Sequence, residues 1–270
     1  MGDSAGPRVA ADHDTEGCVL AYLARLLEAR SVEQAWALHT EQMARHGFDR
    51  VIYSFASLPG DVDVLADTLI LSNHPRSFLD PFLAEGWWRQ PLFLTHADKT
   101  GMAAVPWRVT PGMAVSLHNL RALAFRASHG VVAGYTLSFR AVTPQGRAGT
   151  GLCARAGLDQ DAVDRIWARH GPTVKLMNTA FHLRVTALPI RLPGRRLTRR
   201  QREVLAWMGD GKSVRDVAVL TGLRPGTVEK HLALARAALG VQTTAQAVLK
   251  AAMLNQLFRR PPRPDAPRRG

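Results

Sequence analysis

Apolar positions recur at helical spacing from about Cys18 to Arg30 and again from Val32 to His46, with Ser31 placed to cap the second run. The period then shortens to two. Arg50–Phe55 and Thr68–Leu71 read as strands, and Val131–Val142 and Gly146–Ala156 read as a hairpin turning at Pro144-Gln145-Gly146. Helical spacing returns over Arg76–Glu85, His118–Ser128 and Asp159–Phe181, the last with a break expected near Gly171-Pro172. Strands with helices before, between and after them predict an α+β fold, an α/β/α sandwich around an antiparallel sheet. Two prolines and a glycine in Leu188–Arg196 (LPIRLPGRR) interrupt helix and strand alike and mark a linker. The expected organisation is a first domain over residues 16–187, a linker over 188–196 and an all-α four-helix domain over 197–256. Residues 1–15 and the tail 257–270 (ending RRPPRPDAPRRG) carry too much proline and charge to form a core and are expected to be disordered.

The helical domain has the clearest local signals. Thr198 with Gln201 and Ser213 with Asp216 form two capping-box patterns, each followed by a short apolar run. Thr221-Gly222-Leu223 makes a turn in which Gly222 can take the left-handed conformation, and Pro225 suits the first turn of the next helix. In that helix Val228, Leu232, Ala235 and Leu239 share one side. Thr227, Lys230, His231 and Leu234 are therefore turned outward, as on a helix that reads the major groove. Periodicity alone also allows an ordinary amphipathic helix with a solvated face, and charge separates the two readings. Of 35 Lys and Arg and 22 Asp and Glu, residues 191–270 hold 17 and 5, a local excess of +12 within a total of +13. An electropositive terminal domain coinciding with a helix-turn-helix suits attraction to phosphate. Arg199, Lys212, Arg224, Thr227, Lys230 and His231 are the expected DNA contacts, with double-stranded DNA carrying an inverted repeat as the partner.

Other chemistry is scarce. Two cysteines, Cys18 and Cys153, leave no disulfide framework and no Cys-based zinc site, and the histidines lack metal-ligand spacing; neither metal nor cofactor is expected. The glycines form no phosphate-cradling loop. Neither a long apolar run nor a signal peptide is present, so the protein is expected in the cytoplasm, on the nucleoid when bound to DNA, and off the membrane. Cys153 and His129 could in principle form a nucleophile pair, but nothing marks an oxyanion site or a third orienting group, and an enzyme is not expected.

The second domain resembles the LuxR-type transcriptional regulators in LTRRQREVL, Gly211-Lys212, Asp216-Val217-Ala218, Gly222-Leu223, Thr227-Val228, His231-Leu232 and Leu239-Gly240-Val241. In that family a fourth helix aids dimerisation, and here Thr243 and Gln246 would cap it. Glu229 departs from the family's common Lys, and Leu234 and Ala238 from its usual Asn and Lys. The first domain is similar to the autoinducer-binding domain of the quorum-sensing members in Phe48–Tyr53, Phe78–Pro91, Pro106-Trp107 and His129–Thr136.

That resemblance implies a small-molecule signal, a homodimer joined partly through the helix between Asp159 and Phe181, and RNA polymerase as a further partner. In the family, a Trp and a Tyr four residues apart donate hydrogen bonds to an acyl-homoserine lactone, and an Asp before a Pro accepts its amide proton. The corresponding positions here are Phe78, Phe82 and Gln90. Tyr53, Trp107 and Thr136 complete the expected ligand-binding set. With two donors and an anion gone, the pocket should reject the usual lactone and take a more hydrophobic molecule, since each unpartnered buried polar group costs roughly 1 to 3 kcal/mol. The alternatives are a regulator that needs no ligand, in which these aromatics are simply core, and a tolerant lactone receptor. Seven basic and no acidic residues lie between Lys99 and Arg155, which suits an anionic ligand, a DNA-facing interface or a solvated surface.

Overall fold

The computed structural model describes residues 8–56, 65–89, 92–93, 95–96, 104–139, 146–192 and 196–257. Gln90, the Pro144-Gln145 turn, residues 193–195 of the linker and the tail from 258 onward lie outside them. The chain divides into two compact units, residues 1–59 with 68–185, and residues 60–67 with 186–270.

In the first unit, helices α1 (Arg8–Glu28) and α2 (Val32–Arg45) are followed by strands β1 (Arg50–Ala56) and β2 (Leu69–Ser72) and helix α3 (Arg76–Ala84). Strand β3 (Ala104–Pro106), helix α4 (Leu117–Ser128), strands β4 (Gly134–Phe139) and β5 (Arg147–Cys153), and helix α5 (Gln160–Ala187) complete it. The strands form one antiparallel sheet in the order β2-β1-β5-β4-β3. Ser31 caps α2 by accepting from the Gln34 amide, as its spacing predicts. Ser116 and Asn119 close a capping box on α4.

Register decides which side chains share a face. Tyr53 pairs with Thr150 and Thr150 with Leu137, whereas Ile52 pairs with Gly151 and Gly151 with Thr136. Side chains alternate along a strand, so Val51, Tyr53 and Phe55 look one way and Ile52 and Ser54 the other. The first face is covered by α2 and α5. His39 of α2 stacks on Phe181 of α5 at 4.1 Å between centroids, and Tyr53 meets Phe181 edge-on at 5.2 Å. The opposite face is covered by α3 and α4, where Phe78, Phe82 and Cys153 are buried and Ile52 and Phe125 pack against them. This is the α/β/α arrangement that the order of elements predicts.

Two expectations are corrected, and one strand was not expected. Helix α1 begins at Arg8, inside the stretch 1–15 read as disordered from its composition. Helix α5 runs 28 residues without a break, although Pro172 sits inside it. Proline removes one ladder hydrogen bond, but Val163 and Gly171 on one side of it and Val174, Met177 and Phe181 on the other are buried and hold both halves in line. A Cβ on Gly171 would lie 2.8 Å from the Trp167 indole nitrogen, so the bare backbone leaves that ring its place. Strand β3 has only three residues and no readable period.

The second unit contains α6 (Arg199–Gly209), α7 (Val214–Thr221), α8 (Pro225–Leu239) and α9 (Thr244–Met253). Capping boxes at Thr198, Ser213 and Thr243 start α6, α7 and α9 as their spacing predicts. Gly222 (φ 68°) and Gly240 (φ 65°) end α7 and α8 in the left-handed conformation, a C-terminal stop that glycine takes without strain. Val204, Leu205, Val217, Val228, Leu232, Leu239, Ala247 and Ala251 form the buried interior. The linker reading also needs correction. Leu188, Ile190 and Leu192 are buried, the Ile190 amide donates to the Leu254 carbonyl at 2.9 Å, and Gln256 Nε2 donates to the Ile190 carbonyl at 3.0 Å. Residues 188–192 thus pack into this unit against the residues after α9; their alternating apolar positions outweigh Pro189. Lys250 Nζ and the Asp67 carboxylate, both within this unit and both buried, pair at 2.7 Å.

Candidate functional site

The first unit encloses a cavity of about 100 Å³ between the sheet and helices α3 and α4. Its walls are aromatic. Phe78 stacks on Phe82 (5.5 Å) and on Phe125 (5.4 Å), and Phe93 stacks on Trp107 (6.4 Å). Helix α3 supplies Phe78 and Phe82 from one side because positions four apart share a helix face. The sheet supplies Ile52, Ser54, Ile70 and Thr136, with Gly149 and Gly151 opening the floor between them. A Cβ on Gly151 would come within 3.1 Å of Ile52 and 3.6 Å of Trp107, and one on Gly134 within 2.0 Å of the Leu152 carbonyl and 2.9 Å of the Trp107 ring. Glycine at 134 is what leaves the Trp107 ring its place, whereas a side chain at 151 would be tight chiefly against Ile52. Trp107 Nε1 donates to Thr136 Oγ1 at 2.8 Å.

Of the six ligand-binding residues expected, Phe78, Phe82, Trp107 and Thr136 line this cavity, and Gln90 lies outside the described residues. Tyr53 is on the wrong side. It occupies the opposite face of β1, fully buried, with its hydroxyl hydrogen-bonded to His182 Nδ1 at 2.9 Å. A polar aromatic next to Ile52 looked suitable, but the period of two sends adjacent residues to opposite faces.

Two polar residues of the cavity were not expected from the sequence. Arg126 on α4 lies half-buried with its guanidinium carbon 3.9 Å from the Trp107 ring centroid and 5.5 Å from that of Phe93. Among the described residues no carboxylate pairs with its guanidinium and no acceptor meets it, and burial pushes its pKa down to about 10. His74, 8 % exposed and stacked 4.5 Å from Phe78, leaves Nδ1 without a hydrogen-bond partner. Burial, and then the charges of Arg50 and Arg126, hold its pKa down to about 4, so the ring is neutral. A signal for Arg126 existed. Asn119, Ala122, Leu123 and Arg126 follow i, i+3, i+4, i+7 and all line the cavity, which puts a charge in register with an inward stripe.

The two members of the candidate nucleophile pair are each engaged elsewhere. Cys153 Sγ donates to the Ala154 carbonyl, burial raises its thiol to about 11, and His129 Nδ1 lies 3.0 Å from the Phe125 carbonyl. Among the described residues no group of three or more His, Cys, Asp or Glu is placed to hold a metal ion, and no helix is long and apolar enough to cross a membrane.

In the second unit, α8 buries Val228, Leu232, Ala235 and Leu239 and turns Arg224, Lys230 and Leu234 outward, with Thr227 and His231 half-exposed beside them. Lys212, in the turn between α6 and α7, and Arg199, at the start of α6, are exposed as well. Positions 227, 230, 231 and 234 form one stripe along the helix. It offers a hydroxyl, an ammonium and an imidazole to an acceptor-rich surface, with Glu229 exposed next to Lys230.

Residues 31–185 match the family described as "Autoinducer binding domain", and residues 195–251 match "Bacterial regulatory proteins, luxR family". BjaR1 of Bradyrhizobium diazoefficiens, a transcriptional activator protein, is 37% identical over 67 residues, covering 25% of this chain and 28% of BjaR1. The match thus spans little more than a quarter of that relative's length. Among solved structures, CepR2 of Burkholderia cenocepacia, described as an N-acylhomoserine lactone dependent LuxR-family factor, superposes with a TM-score of 0.50 at 19% identity. That superposition covers 63% of this chain and 94% of CepR2. SdiA of Escherichia coli gives 0.49 at 14% identity, over 90% of this chain and 99% of SdiA. With an autoinducer-binding domain over more than half its length and a luxR-family domain behind it, the chain belongs to the LuxR-type family of bacterial regulatory proteins.

Proposed function

We propose that this protein is a DNA-binding transcriptional regulator that acts as a homodimer on an inverted-repeat operator and is controlled by a small hydrophobic molecule held in the aromatic cavity. The observation that carries this reading is the cavity itself, walled by Phe78, Phe82 and Trp107 in a chain whose second unit presents the outward stripe of α8. Phe78 and Phe82 offer area but no donor. A volume of about 100 Å³ is the size of a single ring, below the roughly 300 to 1,000 Å³ of common small-molecule sites. Both features favour a signal other than a long-chain acyl-homoserine lactone. Dimerisation is supported by Leu176 and Leu183, exposed seven residues apart on α5, and by Leu249, exposed on α9. Its place of action is the cytoplasm, with DNA and RNA polymerase as partners.

Thermal denaturation with a panel of acyl-homoserine lactones tests the ligand assignment. No shift at low micromolar lactone is expected, and a rise of several degrees would overturn it. A genome-wide map of bound DNA should return inverted repeats with half-sites about one helical turn apart, and sedimentation should return a dimer at tens of micromolar.

A further inference from the structure

A cavity walled by aromatic rings has no evident use for a cation. Burying a guanidinium among apolar side chains is costly unless a charge or acceptor meets it. Arg126, half-buried, nevertheless stands over Trp107 with neither a carboxylate nor an acceptor among the described residues. The ring quadrupoles of Trp107 and Phe93 offset part of that cost. They cannot satisfy the guanidinium's five N–H donors, which lie in a fork that matches two oxygens on one centre.

His74 points to the same deficit. His74 lines the same cavity, and its Nδ1 is buried with no partner, although buried polar atoms are nearly always bonded. With the ring neutral, Nδ1 can carry the proton and donate it to a buried acceptor. Two potential donors of the protein therefore line one small cavity, and no acceptor among the described residues meets either. The surrounding sequence adds no competing anion, since residues 99 to 155 contain seven Lys or Arg and no Asp or Glu.

Resting on the reading of this cavity as the signal site, we propose that the signal is a compact aromatic acid, its single ring held between Phe78, Phe82 and Trp107 and its carboxylate held by Arg126 and His74 Nδ1–H. The carboxylate accepts from two N–H groups of the guanidinium in the side-by-side geometry that arginine favours. The ring fills a space of about 100 Å³. A neutral ester of the same acid keeps the ring contacts but has no charge for Arg126 to meet.

The test uses the full-length protein with benzoate and phenylacetate as probes and their methyl esters as neutral controls. Binding is read by quenching of tryptophan fluorescence and by the shift of the thermal midpoint. The acids should bind more tightly than the esters. Arg126→Met should weaken the acids by about 10- to 100-fold while leaving the esters unchanged. Arg126→Lys, which keeps the charge and loses the fork, should give an intermediate loss for the acids only. If Arg126→Met does not fold, His74→Phe replaces it; that variant keeps the stack on Phe78, and it should weaken the acids several-fold and spare the esters. Esters binding as tightly as acids, or acids indifferent to these substitutions, would overturn the carboxylate assignment while leaving a hydrophobic signal site in place. Failure of acids, esters and lactones alike to bind at millimolar concentration would overturn both.

Discussion

Lowering the pH from 7.5 to 5.5 should destabilise the first unit by about 4 kcal/mol, because three buried imidazoles are held neutral. His39, His74 and His182 are 0, 8 and 6 % exposed, and burial holds their pKa values down to about 3, 4 and 4. In the unfolded chain each returns to about 6.5. Between those values the unfolded state binds more protons than the folded one, so stability is full above pH 6.5 and falls as the pH drops toward 4. One pH unit below 6.5, each residue contributes a loss of about 1.4 kcal/mol, and three give about 4 kcal/mol. His39 shows why protonation is resisted: Nδ1 lies 2.8 Å from the Tyr22 hydroxyl, which donates to it, and Nε2 lies 3.1 Å from Asn178 Oδ1 and donates there. A second proton would compete with the tyrosine hydrogen while adding charge to a dry interior. For a domain of this size 1 kcal/mol corresponds to about 2 to 4 °C, so calorimetry should show the first unit's midpoint falling by about 8 to 16 °C. Paired carboxylates titrate near pH 4 and below, outside this window. A midpoint unchanged within 2 °C, or imidazole resonances titrating near 6.5, would refute the reasoning.

Substituting Lys230 and Thr227 with Ala together should weaken operator binding about tenfold or more in a mobility-shift assay without moving the thermal midpoint; unchanged affinity would mean that the recognition stripe lies elsewhere. Leu232→Ala removes a side chain buried among the four helices and should cost about 2 to 5 kcal/mol in the second unit by denaturant titration. Gly134→Ala would set a methyl 2.0 Å from the Leu152 carbonyl and 2.9 Å from Trp107, and a loss of about 3 kcal/mol is expected. A Gly134→Ala variant as stable as the parent would show that strand β4 yields more easily than its register implies.

What the sequence disclosed followed the range of the interaction. The helix-turn-helix is legible because its devices are local: Ser213 finds Asp216 three residues away, and Gly222 acts on the turn it occupies. Likewise Phe78 and Phe82 fall four apart on one helix and needed only a period of 3.6 to be placed together. Tyr53 failed for the opposite reason. Its face is set by pairing with Thr150, ninety-seven positions along the chain, and nothing near Tyr53 announces that register. Leu188, Ile190 and Leu192 were hidden by the prolines among them, since the residues that anchor them, Leu254 and Gln256, are more than sixty positions away. Arg126 was visible as a charge in an inward stripe, but only the placement of Trp107 beneath it gives that charge a meaning.

The glycines around Trp107 bear on how the shape of this cavity could change over evolutionary time. Gly134 cannot gain a side chain without striking the Leu152 carbonyl and the indole, and Gly151 can do so only if Ile52 shifts, so the sheet is the more constrained wall of the chamber. Helices α3 and α4 form the wall that mutation can remodel. Divergence in chemical preference among relatives should therefore accumulate at Phe78, Phe82, Ala122, Leu123 and Arg126, while the floor beneath stays bare.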